Sequence, residues 1–236
     1  KKWGANMGMK TTIKSEIFSL LQNHPDSWEF IESLSEIGEL LFFGGSIRDY
    51  YIYNEYKDMP RDFDIAVKLN PKNEMLFTTF VEQYNFKKNR FGGYKVKIEG
   101  IEFDLWNLQN TWAFKEKKLL AEEKNLAKSV FLSVDGIVYN FNQNILYDDD
   151  LKWSMDNKQI NIVLNDNPQK ELNLLRALVF KKKYNFDFSV ELKAEYKKLI
   201  SLNHDFYEKL YELQFSHYKS EYFTRADVIK ELQHIG

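Results

Sequence analysis

LLFFGGSIRDYYIYN at residues 40–54, followed by DFDIAVKL at 62–69, decides how this chain folds. Residues 40–43 form a compact apolar run stopped by Gly44 and Gly45, the pattern of a buried strand that ends in a tight turn. SIRDYYIYNEY then resumes helical character, with Ser46 placed to cap the helix. After the turn chemistry of DMPRD at 58–62, Phe63, Ile65 and Val67 alternate with Asp62, Asp64 and Ala66. That alternation predicts a strand with both aspartates on one face.

Upstream, Ile13, Ile17, Leu20 and Leu21, then Trp28, Ile31, Leu34 and Ile37, recur at helical spacing and predict two short helices broken near Pro25. The opening KKWGANMG has no periodicity and reads as a loose terminus, with Met9 as the more natural helix start. Downstream, Asn70 and Pro71 end the acidic strand, 74–84 reads as a helix, and 94–108 as two strands around Gly100. SVFLSVDGIVYNF at 129–141 suggests a hairpin turning at Asp135 and Gly136, and 160–164 a short strand. Beyond Pro168, Leu172, Leu175, Val179, Leu192, Tyr196, Leu199 and Ile200 mark amphipathic helices. The expected class is α+β: an N-terminal helical segment over 1–37, a mixed sheet with flanking helices over 38–150, and a linker and helical domain over 151–236.

The 236 residues are 44% hydrophobic and 16% aromatic, enough apolar surface to build a globular core. With 33 basic and 35 acidic residues the net charge is -2, so any contact with a polyanion must be local. Cysteine is absent, which excludes disulfides and thiolate zinc sites, and His24, His204, His217 and His234 show no ligand spacing. Magnesium or manganese held by oxygen ligands is the metal chemistry left open. No apolar run nears the ~20 residues that span a bilayer and no signal segment opens the chain, so the expectation is a cytoplasmic protein with no membrane partner.

The double glycine lets the backbone approach a ligand, and the N–H groups of the helix that follows form an anion site. Arg48 adds a fork of donors suited to phosphate oxygens. The plainer alternative is that Ser46 and Asp49 form a capping box on an ordinary helix and Arg48 is solvated. The acidic strand shifts the balance. Asp62 and Asp64, two rises of ~3.3 Å apart, can share divalent cations; the alternative is a solvated strand face. Asp104, with Glu102 on the same face of IEFDLW, is the best candidate for a third acid. Lys87, Lys88 and Arg90, and Lys181, Lys182 and Lys183, are basic clusters that could meet an RNA backbone or simply face water. No particular aromatic ring stands out as a base-stacking group.

GGSIRDYYI followed by DFDIAV resembles the GGxxRD and DxD signatures of the DNA polymerase β-like nucleotidyltransferases, specifically the head domain of tRNA nucleotidyltransferases and bacterial poly(A) polymerases. RFGGYKVKIEGIEFDLWNL is similar to the strand pair that follows DxD in that family, and ELNLLRALVFKKKYNFDFS at 171–189 to its neck helix, so the likeness covers about 38–190. The resemblance implies that 38–150 is a nucleotidyltransferase palm followed by a C-terminal helical, neck-like domain. Gly44, Gly45 and Ser46 would line the triphosphate of a nucleoside triphosphate, Arg48 would contact it, Asp49 would buttress the turn, and Asp62 and Asp64 would hold magnesium. The implied activity is transfer of a nucleoside monophosphate to an acceptor hydroxyl with release of pyrophosphate, the acceptor being an RNA 3′ end. The alternatives are nucleotidylation of a small molecule or a protein, or a nucleotide- or RNA-binding module that has lost turnover. Two family elements are replaced. The RRDFTINA-like stretch falls on KSVFLSVD at 128–135, and the base-reading EDxxR falls on QKELN at 169–173. A long RNA-holding body and tail is also missing from the sequence, so a full CCA-adding enzyme is not expected.

Overall fold

The computed structural model describes residues 6–89 and 92–235, with side chains from residue 13 onward. Arg90 and the first five residues lie outside them. Helix α1 (Asn6–Leu21) begins before Met9, and α2 (Pro25–Ile37) starts on Pro25, whose missing N–H costs nothing at a first helical turn. Then come β1 (Gly38–Phe43), α3 (Gly44–Tyr53), β2 (Phe63–Leu69), α4 (Glu74–Val81), β3 (Phe86–Lys88), β4 (Tyr94–Ile98) and β5 (Ile101–Asn107). Short helices α5 (Trp112–Lys115) and α6 (Glu123–Ala127) lead to β6 (Val138–Asn140) and β7 (Ile145–Tyr147).

These seven strands form one sheet in the order β3-β4-β5-β2-β1-β6-β7. Only β2 and β5 run parallel; the other neighbours are antiparallel, so the sheet is mixed as expected. One face is the core. Phe63 stacks on Phe103 at 5.8 Å between ring centres, and Phe30 of α2 reaches Phe103 at 5.1 Å and Phe80 of α4 at 5.4 Å. Burying such rings contributes roughly 1.5–3 kcal/mol each. Alternation then sends Asp64 and Asp104 to the opposite face.

The chain divides into two compact units. One runs to Ser129 and takes in Ile137–Asp149; the other holds Val130–Gly136 and continues from Asp150. The second unit contains α7 (Asp149–Asn157), β8 (Gln159–Ile160), α8 (Lys170–Tyr184), β9 (Asp187–Phe188), α9 (Val190–Leu202), α10 (Phe206–Tyr218) and α11 (Arg225–Ile235). Strands β8 and β9 pair in parallel, and Ser189 caps α9 by accepting from the Leu192 N–H at 3.1 Å. Within this unit Asp135 is buried against Arg176 of α8 at 2.8 Å.

Three sequence expectations need correction. Residues 129–141 do not form a hairpin: Ser133–Asp135 is a 3₁₀ turn, Leu132 makes a bridge with Ile162, and β6 pairs with β1 and β7 instead. The run is apolar on both sides of Asp135, so it carried no alternation to fix a register, and each half found a distant partner. Ser46 does not cap α3 either. The helix begins at Gly44, its N-cap is Phe43 with no side-chain bond, and the buried Ser46 hydroxyl has no hydrogen-bond partner among the described residues. The expected strand over 160–164 is shorter, with β8 ending at Ile160.

Candidate functional site

The site is built where β1 turns into α3 beside the start of β2. Gly44 has φ +73, a left-handed conformation that suits glycine, and a Cβ placed on it would fall into the Asp64 carboxylate. The glycine therefore lets the first turn of α3 and the β2 carboxylate touch. At Gly45 a Cβ would stand 3.4 Å from Nη2 of Arg48, so the guanidinium lies over this second glycine. Arg48 is buried rather than solvated, and its Nε donates to Asp49 Oδ1 at 3.0 Å. The capping-box alternative is thus excluded on both of its residues. What stands at the start of α3 is a turn with two bare glycines, a helix N-terminus and a buried arginine.

The acids gather against it. Asp64 pairs in register with Asp104 on parallel β5 and with Phe43 on β1. Asp62 precedes β2 and is held by Arg61, whose Nη2 donates to its Oδ2 at 2.8 Å. Burial pushes the Asp64 carboxyl up to about 7, and the charges of Asp62 and Asp104 add to the shift, while Arg61 and Lys95 pull against it. Burial also raises Asp104, opposed by Lys95, whose Nζ sits 3.0 Å from its Oδ1. The sequence expectation brought Asp62, Asp64 and Asp104 together but omitted Arg61 and Lys95. Lys95 was detectable in principle, because YKVKI alternates and its partner strand follows one turn later; cross-strand register is what the linear pattern does not carry.

Among the described residues no group of three or more histidines, aspartates or glutamates is arranged to hold a metal ion. Asp62 and Asp104 are turned onto Arg61 and Lys95. The donor set nonetheless suits a hard divalent cation: three carboxylates, one of them half-buried with its charge disfavoured by the other two. Such a cluster is relieved by positive charge. Asp64 and Asp104 lie on one sheet face, Asp62 stands just ahead of β2 rather than in the expected strand, and Gly44, Gly45, Ser46, Arg48 and Asp49 belong to α3, whereas the basic residues Lys181, Lys182 and Lys183 fall on α8 of the second unit.

Solved structures share this fold, a mixed sheet with flanking helices followed by helices. The chain is similar to a CCA-adding enzyme solved with CTP (14% identity, TM-score 0.60, covering 88% of this chain and 51% of that one). It is also similar to the Thermotoga maritima CCA-adding enzyme complexed with tRNA (13%, TM-score 0.59, 88% and 51%). A tRNA nucleotidyltransferase complexed with a primer tRNA and an incoming ATP analog matches at 17% identity and TM-score 0.57, over 84% and 57%. The chain thus spans little more than half the length of these structures. No family model matches the sequence, and no curated protein matches it. No helix among the described residues is long and apolar enough to cross a membrane.

Proposed function

We propose that this protein is a metal-dependent nucleotidyltransferase that moves a nucleoside monophosphate from a nucleoside triphosphate to an acceptor hydroxyl, with an RNA 3′ end as acceptor and the cytoplasm as its location. The observation that carries this is the contact of the Asp64 carboxylate with the bare Cα of Gly44, which joins an acid cluster to a backbone anion site. In this reading the N–H groups of Gly44, Gly45 and Ser46 at the start of α3 and the Arg48 guanidinium hold the triphosphate, and Asp49 fixes the arginine fork. Asp62 and Asp64, with Asp104, would hold magnesium or manganese, which when bound supplies the positive charge that the three carboxylates and the polyphosphate both require.

The acceptor oxygen forms its bond to the α-phosphorus as the bond to the β-phosphate oxygen breaks, and pyrophosphate leaves. The hydroxyl proton passes to a carboxylate of the cluster, Asp104 being the acid on β5 alongside Asp64. Positioning and charge stabilisation carry most of the rate in such transfers. The test is magnesium-dependent thermal stabilisation by each of ATP, CTP, GTP and UTP, followed by pyrophosphate release in the presence of RNA, protein and metabolite fractions. Absence of release with every fraction would defeat the enzymatic reading.

Arg48→Ala is expected to slow transfer by a factor on the order of a hundred, as loss of one charge-stabilising donor does. Its nucleotide-induced stabilisation should shrink in parallel. Normal turnover in this variant would remove the guanidinium from the phosphate site.

A second reading is favoured by one observation. Arg61 and Lys95 already neutralise Asp62 and Asp104, which is how a nucleotide- or RNA-binding module without turnover would quiet these charges. Nucleotide-induced stabilisation with no release under any acceptor would support it.

A further inference from the structure

The sheet face that carries Asp64 and Asp104 continues outward over β5, β4 and β3, and the ladder fixes what stands on it. Lys95 lies opposite Asp104, Lys97 opposite Glu102 and Lys87 opposite Lys95, and directly opposed residues share a face. Trp106, two positions beyond Asp104, projects from the same face. This outer part is open to water: Lys87 and Lys97 are exposed, the Lys97 side chain to 62%, and Lys95, Glu102 and Trp106 are partly exposed. Lys95 bridges Asp104 and Glu102 at 3.0 and 3.1 Å and Lys97 stands 3.9 Å from Glu102, so the face grades from acidic beside Gly44, through paired charges, to the exposed Lys97 and Lys87 at the sheet edge.

The indole has a seat made for it. A Cβ on Gly93 would stand 2.7 Å from Cε3 and 2.8 Å from Cδ2 of Trp106, so the ring lies against the bare Cα of Gly93. An aromatic ring covering a sheet glycine stabilises the strand pair by itself. Here it also sets a partly exposed ring about two strand rises, ~6.6 Å, from the Asp104 position.

We propose that the open face of β3, β4 and β5 seats the single-stranded 3′ end of an acceptor RNA, with Trp106 stacking on a base and Lys87 and Lys97 meeting the phosphates behind it. This rests on the nucleotidyl-transfer reading above and gives the RNA end named there a seat on the sheet. The charge gradient gives the polarity. Phosphates are repelled by Asp62, Asp64 and Asp104 and drawn to the lysine edge, which leaves the uncharged terminal hydroxyl as the part of the strand that can approach the carboxylates. Lys95 and Lys97 are ~6.6 Å apart along β4, and Lys87 extends the row onto β3. Exposed lysines beside a partly exposed ring suit a strand bound by stacking and salt-dependent contacts.

The test is binding of a short fluorescein-labelled single-stranded RNA to the whole chain in EDTA, without nucleotide, across a salt series. Trp106→Ala is expected to weaken binding about tenfold at every salt concentration. Lys87→Glu with Lys97→Glu should weaken it further at low salt and lower the slope of log affinity against log salt by about 1.4 for the two lost phosphate contacts. Trp106→Phe should keep most of the affinity. The lysine variants are on exposed positions and report even if Trp106→Ala fails to fold. Unchanged RNA affinity in the lysine pair and in the folded tryptophan variant would overturn the proposal, as would no RNA binding at all, or labelling of a metabolite or protein without RNA binding. Nucleotide-induced thermal stabilisation and pyrophosphate release, measured alongside, keep the two ideas separate. Their persistence without RNA binding sinks only this site, and RNA binding without any transfer sinks only the enzymatic reading.

Discussion

Asp64→Asn is expected to reduce nucleotidyl transfer on the order of a thousandfold or more while making the metal-free protein more stable at alkaline pH. The two effects share a cause. In the folded chain burial and the neighbouring Asp62 and Asp104 raise the Asp64 carboxyl to about 7 from an ordinary 3.8. Below pH ~4 the group is neutral in both folded and unfolded chains and costs nothing. Between ~4 and ~7 the unfolded chain ionises first, so stability falls as pH rises; above ~7 the loss is complete. Asparagine removes that loss, which after allowance for screening by Arg61 and Lys95 is about 2 kcal/mol, or roughly 4–8 °C in Tm for a chain of this size. Thermal denaturation in EDTA at pH 8 should show the gain, and at pH 4 it should vanish. A variant less stable than the parent at pH 8, or one with full turnover, contradicts the account. Asp62→Ala should lose transfer too, with a smaller change in stability, because Asp62 is paired with an exposed Arg61.

The second large effect is expected at Gly44. Alanine there must adopt φ near +73 and must also displace the Asp64 carboxylate. The backbone term is about 1–2 kcal/mol and the displaced, partly buried acid adds a similar amount, for a total of roughly 2–4 kcal/mol. Nucleotide-dependent stabilisation should disappear together with transfer, because the same methyl group closes the approach to the helix N-terminus. Gly45→Ala is the control: its Cβ meets only the end of the Arg48 side chain, so a milder loss in denaturant unfolding is expected. Equal stability of the Gly44→Ala variant and the parent would show that the carboxylate does not rest on that glycine.

The β1–α3–β2 segment was legible because three local signals coincide. An apolar run of strand length, a pair of glycines and a strict period of two each constrain the backbone without reference to the rest of the chain. Asp104 was legible for the same reason, and its apposition to Asp64 followed once β2 and β5 paired. The counter-cations were not, since Lys95 meets Asp104 only through the β4–β5 register. Trp106 was passed over as one aromatic among many, although its place two residues after Asp104 puts it on the acidic face. Ser46 misled because S-x-x-D also describes a cap, and only the positive φ of Gly44 starts the helix early enough to bury the serine. The chain from 129 to 141 was illegible in principle: its partners, β1 at Leu41–Phe43 and Ile162, lie far away in sequence.

The central place of β2 has a consequence for durability. Strand β2 is flanked by β1 and β5, with four further strands outside them. Fraying begins at borders, so the short outermost strands β3 and β7 open first, and the amides around Asp64 should exchange with solvent hydrogen only when the whole unit unfolds. A reactive centre anchored there stays assembled through the fluctuations that loosen the rim, and its lifetime is that of the domain itself.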